Sequence, residues 1–104
     1  VVARSKKFEA GAVLIRGVYP IDGIKMMEKN RKTEKFSNLT NGPGKLTQAF
    51  NISVKDYGID MTKKSKLYVT TGISPKKVNS KSRIGISKAV DKRWNFSINP
   101  EDYF

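Results

Sequence analysis

The stretch "LTNGPGKLTQAF", residues 39–50, decides how the middle of this chain folds. Pro43 carries a φ preset for the first turn of a helix, and Leu46, Ala49 and Phe50 follow at the spacing of one helical face. Gly42 to Lys45 therefore open a helix. The same residues invite comparison with a nucleotide-binding loop, whose glycines let backbone amides wrap phosphates and whose hydroxyl binds magnesium. Leu39 stands where that motif needs its first glycine, and Leu46 where it needs Ser or Thr. A nucleotide-hydrolysing site is excluded on both counts. Two readings of the segment remain. Gly42, Gly44 and Lys45 can hold a single phosphate, including one of a DNA backbone, or Pro43 and Gly44 can simply start a helix with Lys45 in solvent.

Upstream, "GAVLIRGVYP" (residues 11–20) is a nearly continuous apolar run between Gly11 and Pro20, with the length of a strand. Alternation puts Leu14 and Arg16 on one face and Val13 and Ile15 on the other. In "IDGIKMMEKNRK", Ile21, Ile24 and Met27 recur every three residues, which predicts a short helix whose outer face carries Lys25, Glu28 and Lys29. Asp22, next to Pro20, and Asp91 are placed to start helices. Residues 33–41 are expected to form a loop and "SVKDYGIDM" a turn or short helical segment. "SKLYVTTG" (65–72), "SRIGIS" (82–87) and "RWNFSIN" (93–99) read as strands. In the last, Trp94, Phe96 and Ile98 share one face, the expected core side. Strands not interleaved with long helices predict an α+β fold with a mainly antiparallel sheet and a few short helices. Neither a repeat nor a linker rich in Pro or Ser divides residues 1–104, which are expected to be a single domain or the C-terminal portion of a larger one.

Twenty-one Lys and Arg against nine Asp and Glu leave a formal charge of +12, an excess that points to a polyanion partner. The chain has neither Cys nor His. That excludes disulfides and thiolate metal sites, and removes the commonest general base and metal ligand. No run is apolar and long enough for a membrane-spanning helix and no signal-peptide pattern is present, so a soluble, intracellular protein without a membrane partner is expected. The opening "VVARSKKFEAG" lacks a methionine and reads as a start in mid-element.

Four blocks, "AGAVLIRGVYPIDGIKMM", "LTNGPGKLTQAFNI", "SRIGIS" and "KRWNFSI", occur in an order and spacing that resembles the alkyladenine (3-methyladenine) DNA glycosylase family. The GPGKL-x-QA block and the preceding AVLIR run are the specific parts. The similarity extends from Gly11 to Ile98 and is to the C-terminal half of the family only. It implies a curved half-barrel sheet, like the C-terminal domain of formyltransferases, in an enzyme of base excision repair. Such an enzyme flips an alkylated or deaminated purine out of double-stranded DNA and hydrolyses its N-glycosidic bond without metal or cofactor. The resemblance implies that Arg16 helps hold the nucleophilic water, that the Ile84 carbonyl accepts its other hydrogen bond, and that Arg31 and Lys45 lie near the DNA backbone. It assigns the catalytic glutamate, the base-sandwiching aromatics and the wedge tyrosine to an N-terminal half with no matching positions here. The chain alone is accordingly expected to be inactive and to need that half as its partner, in the bacterial cytoplasm or nucleoid.

Other readings stay open on the residues themselves. Arg16 can be a strand-end or salt-bridged arginine, and Arg31 a solvated member of "KNRK". None of the nine carboxylates pairs with another on a shared face. Composition alone favours a small basic nucleic-acid-binding or ribosome-associated protein without catalysis.

Overall fold

The computed structural model of the chain describes residues 1–3, 6–7, 9 and 11–104. Arg4, Ser5, Phe8 and Ala10 of the opening stretch lie outside the described residues. The fold is α+β, with two α-helices, two antiparallel two-stranded sheets and three short 3-10 turns among the described residues. It is organised in two units, Val1–Ile59 and Asp60–Phe104.

In the first unit, β1 (Val2–Ala3) pairs with β2 (Gly11–Ala12). The strand expected over residues 11–20 is confined to these first two positions. Beyond them Val13 exchanges two bonds with Val1, its amide donating to the Val1 carbonyl at 2.8 Å and the Val1 ammonium to the Val13 carbonyl at 2.9 Å, and the rest of the run has a reciprocal link at Val18. There the Val18 amide donates to the Thr40 carbonyl at 3.2 Å, and the buried Thr40 hydroxyl donates to the Val18 carbonyl at 2.6 Å. Glycine at position 17 permits this approach, since a Cβ there would meet the Thr40 oxygen at 2.9 Å.

Helix α1 (Ile24–Arg31) starts after Gly23, whose left-handed φ of 72° turns the chain into the helix. Asp22 does not cap it, because no side chain bonds the free amides of the first turn. Lys29 and Arg31 in its last turn favour the negative end of the helix dipole. The helix closes in a Schellman arrangement: Thr33 donates to Glu28 and Lys32 to Lys29, with Lys32 left-handed at φ 54°. A side chain with a Cβ costs about 1 kcal/mol in that region, which glycine avoids. Lys32→Gly is therefore expected to raise stability by about 1 kcal/mol, read as a higher urea midpoint at unchanged slope.

Helix α2 (Pro43–Ala49) begins at the predicted proline and ends in the same way. Ile52 donates to Thr47 and Asn51 to Gln48, with Asn51 at φ 55°. Met27 of α1, Leu39 and Ala49 of α2 form the buried core, with Ile24 packed on it. Leu39 is fully enclosed, at 0% exposure. Ile21 and Phe50, expected on the apolar stripes, remain exposed. The 3-10 turn Phe36–Asn38 crosses between the helices, and Tyr19 meets Phe36 edge-on at 5.4 Å. A second 3-10 turn, Val54–Asp56, is held by a capping box between Ser53 and Asp56, in agreement with the short helical segment expected there.

The second unit contains β3 (Asn79–Lys81) paired with β4 (Asn95–Ser97), in register Asn79 with Ser97 and Lys81 with Asn95. A 3-10 turn, Pro100–Asp102, follows, and the Tyr103 hydroxyl accepts from the Lys76 amide at 2.9 Å. Residues 65–72 and 82–87, expected as strands, are irregular, having no neighbouring strand to complete a ladder. Asp91 starts no helix and lies in a turn beside Lys92. Among the described residues of this unit none is fully buried, and the expected core face of β4 is in solvent, with Trp94 at 57% and Phe96 at 64% exposure. No helix among the described residues is long and apolar enough to cross a membrane.

Candidate nucleic-acid interface

The loop between α1 and α2 is held from beneath by Arg31. Its Nε donates to the Leu39 carbonyl at 3.0 Å, Nη2 to the Asn38 carbonyl at 3.0 Å, and Nη1 to Oε1 of Gln48 at 2.6 Å. Three of the five guanidinium donors thus join the last turn of α1 to the interhelical turn and to α2. Asn30 adds a fourth tie, from Nδ2 to the Ala49 carbonyl at 2.9 Å.

On this frame sits Lys45, half-buried in the first turn of α2. Its Nζ donates to Oδ1 of Asn38 at 2.7 Å and to Oδ1 of Asn41 at 3.0 Å. Both acceptors are neutral carboxamides. They fix the ammonium without cancelling its charge, and an ammonium has three donors, so one remains for a ligand. A Cβ at Gly42 would make ordinary contact with Lys45 Cδ at 3.7 Å and one at Gly44 would meet nothing within 4 Å, so both glycines leave the approach to Lys45 open. The helix has seven residues and its N-terminal dipole is correspondingly small. The charge on Lys45 is the principal attraction for an anion.

Of the residues singled out in the sequence, Gly42, Gly44, Lys45 and Arg31 are brought together here. Arg16 belongs to the same unit, one residue before the Gly17 contact with Thr40, and the backbone there also approaches Asn41, which holds Lys45. Arg16 is half-buried and has no hydrogen-bond or ion-pair partner among the described residues. Ile84 lies in the second unit, in the bend before Gly85 at φ 69°, and its carbonyl accepts no hydrogen bond there from the described residues. Asn38 and Asn41 were not foreseen as site residues. Their signal was an asparagine four and seven residues before a glycine-framed lysine, a pattern that gains meaning only once the turn folds back.

The carboxylates are dispersed. Glu28 pairs with Lys25 at 3.6 Å. Asp60 is held below the usual carboxylate range by the Thr62 hydroxyl, then by the Thr62 amide, which donate at 2.6 and 2.9 Å. Among the described residues no three His, Cys, Asp or Glu side chains are grouped to hold a metal ion.

Comparison with known proteins gives a consistent result. The family model of methylpurine-DNA glycosylase matches residues 1–102. Three curated relatives carry the name "Putative 3-methyladenine DNA glycosylase". The protein of Prosthecochloris aestuarii is 46% identical over 96 residues, 90% of this chain and 46% of its own length. That of Bacillus licheniformis is 42% identical over 98 residues, covering 91% and 50%. That of Oceanobacillus iheyensis is 47% identical over 92 residues, covering 88% and 46%. No solved structure matches. The chain spans about half the length of these relatives, and it belongs to the methylpurine-DNA glycosylase family.

Proposed function

We propose that this chain is the C-terminal part of a DNA-3-methyladenine glycosylase and contributes the DNA-backbone contacts and part of the water-holding wall to base excision repair. The observation that carries the reading is Lys45, a cation fixed by Asn38 and Asn41 at the exposed start of α2, in a chain of formal charge +12. In this reading Lys45 meets a phosphate flanked by Gly42 and Gly44, and Arg31 offers its two remaining N–H donors to the same strand. The damaged purine is flipped out of the duplex, at a cost of a few kcal/mol. Water then adds to C1′ as the bond to the base nitrogen breaks. Arg16 helps hold that water, and the half that the chain does not span supplies the base that takes its proton. Both units are parts of one larger domain, whose additional strands pair with the open edges of β3 and β4 to complete the half-barrel. The site of action is inside the cell, where the DNA is.

Lys45→Ala tests the reading. It is expected to weaken binding to intact and lesion-bearing duplexes equally and to reduce the slope of log K against log salt by about one. Anisotropy titrations at several salt concentrations measure it, and an unchanged slope would remove Lys45 from the interface.

A further inference from the structure

We propose that the β3–β4 hairpin carries a second DNA-contact surface, in which Trp94 gathers Arg83 and Lys92 into a clamp for the sugar–phosphate backbone. This rests on the reading that the chain engages DNA, and it concerns residues which that reading does not use. The Arg83 guanidinium carbon lies 5.4 Å from the Trp94 ring centroid and Lys92 Nζ lies 5.9 Å from it. Both distances are within the range over which an indole face attracts a cation. Two like charges are thereby held on one exposed ring, an arrangement that an anion between them would relieve.

The surroundings favour a polyanion. Residues 76–93 hold seven Lys and Arg and one acid, Asp91, whose contact with Lys92 is 3.9 Å long and largely exposed. Arg83 is anchored by Nη2 to the Lys88 carbonyl at 2.8 Å, while its Nε is shielded from solvent with no partner among the described residues. Arg93 Nη2 donates to the Ser80 carbonyl at 2.6 Å, and the Ser80 hydroxyl returns a bond to the Arg93 carbonyl, so the platform beneath Trp94 is tied down. Two residues after Trp94, Phe96 of β4 is exposed as well and can receive a base. An apolar protein partner would have to desolvate Arg83 and Lys92 to cover this face, whereas a DNA strand gains from them by releasing counterions.

Trp94 is the only tryptophan of the chain, so its emission reports this surface directly. The full chain is titrated with a duplex and with a short single strand, following anisotropy of a labelled strand and, separately, Trp94 emission with unlabelled DNA. The emission is expected to change saturably, in step with anisotropy, and to stay flat with inorganic phosphate at equal phosphate concentration. Arg83→Gln and Lys92→Gln are each expected to weaken binding about two- to fivefold and to lower the salt slope by about one. Lys92 has no backbone anchor among its contacts, so a loss there does not reduce to a folding defect. Lys45→Ala should reduce affinity while preserving the Trp94 response. DNA binding with silent Trp94 and unaltered Arg83→Gln and Lys92→Gln affinities would overturn this surface and leave the DNA reading standing; no binding at low salt would overturn both. An equal response to inorganic phosphate would assign the face to a small anion and overturn the proposal.

Discussion

In a single-turnover assay with a duplex containing hypoxanthine or ethenoadenine, the 104-residue chain alone is expected to release no free base above the uncatalysed level. Release is expected on adding a polypeptide that supplies the half of the relatives this chain does not span. General-base activation of water contributes roughly a hundred- to ten-thousand-fold, and correct placement of the flipped nucleotide several kcal/mol more. The carboxylates here are poorly disposed for the first of these. Asp56 is spent in the Ser53 capping box and Glu28 faces Lys25. Asp60, with its proton affinity lowered by Thr62, is a weaker base than an ordinary aspartate. Neither a guanidinium such as that of Arg16 nor a backbone carbonyl such as that of Ile84 is a base that takes a proton from water. Robust release by the chain alone would place the catalytic base among these nine carboxylates and overturn the proposed division of roles.

Arg31→Ala is expected to destabilise the first unit by about 2–3 kcal/mol, the order of one or two hydrogen bonds to a charged group once partial exposure is allowed for. The substitution leaves the Leu39 carbonyl without its donor, on the most enclosed residue of the core, and frees the Asn38 carbonyl and Gln48 together. Arg31→Lys should recover little, because one ammonium cannot span three acceptors arranged for a planar fork. Both α-helices are in the first unit, so helical circular dichroism in a urea series is the measurement; Trp94 emission reports the other unit. A midpoint equal to that of the parent chain would show that these bonds merely exchange for water.

The expected DNA affinities of these variants distinguish the two cations at the loop. Lys45→Ala removes a charge from the surface and leaves the fold intact, so its effect follows salt. Arg31→Ala loosens the Asn38 turn on which Lys45 rests, so its effect persists at salt concentrations where phosphate contacts are screened.

The helices were determined locally. Gly23 turning the chain by a left-handed φ, Pro43 with its preset φ, and apolar residues at helical spacing act within a few positions of one another, and the two helices lie where those signals fall. The resemblance, too, was legible, because ordered blocks such as GPGKL-x-QA survive as sequence whatever the chain does around them. What depended on distant partners was not. The run 11–20 is apolar enough for a strand, but a strand exists only where another backbone completes its ladder, and among the described residues that pairing stops after Gly11, Ala12 and the bonds of Val13 to Val1. Alternation in "RWNFSIN" defines two faces without saying which is covered, and Trp94 and Phe96 of the apolar face are left in solvent while Ile98 is half-buried. Arg31 stands in a basic cluster that reads as solvated. Tertiary structure turned it inward onto carbonyls seven and eight residues away and a side chain seventeen away, because only the return of the chain at Asn38 and Leu39 brings three acceptors within reach of one planar guanidinium.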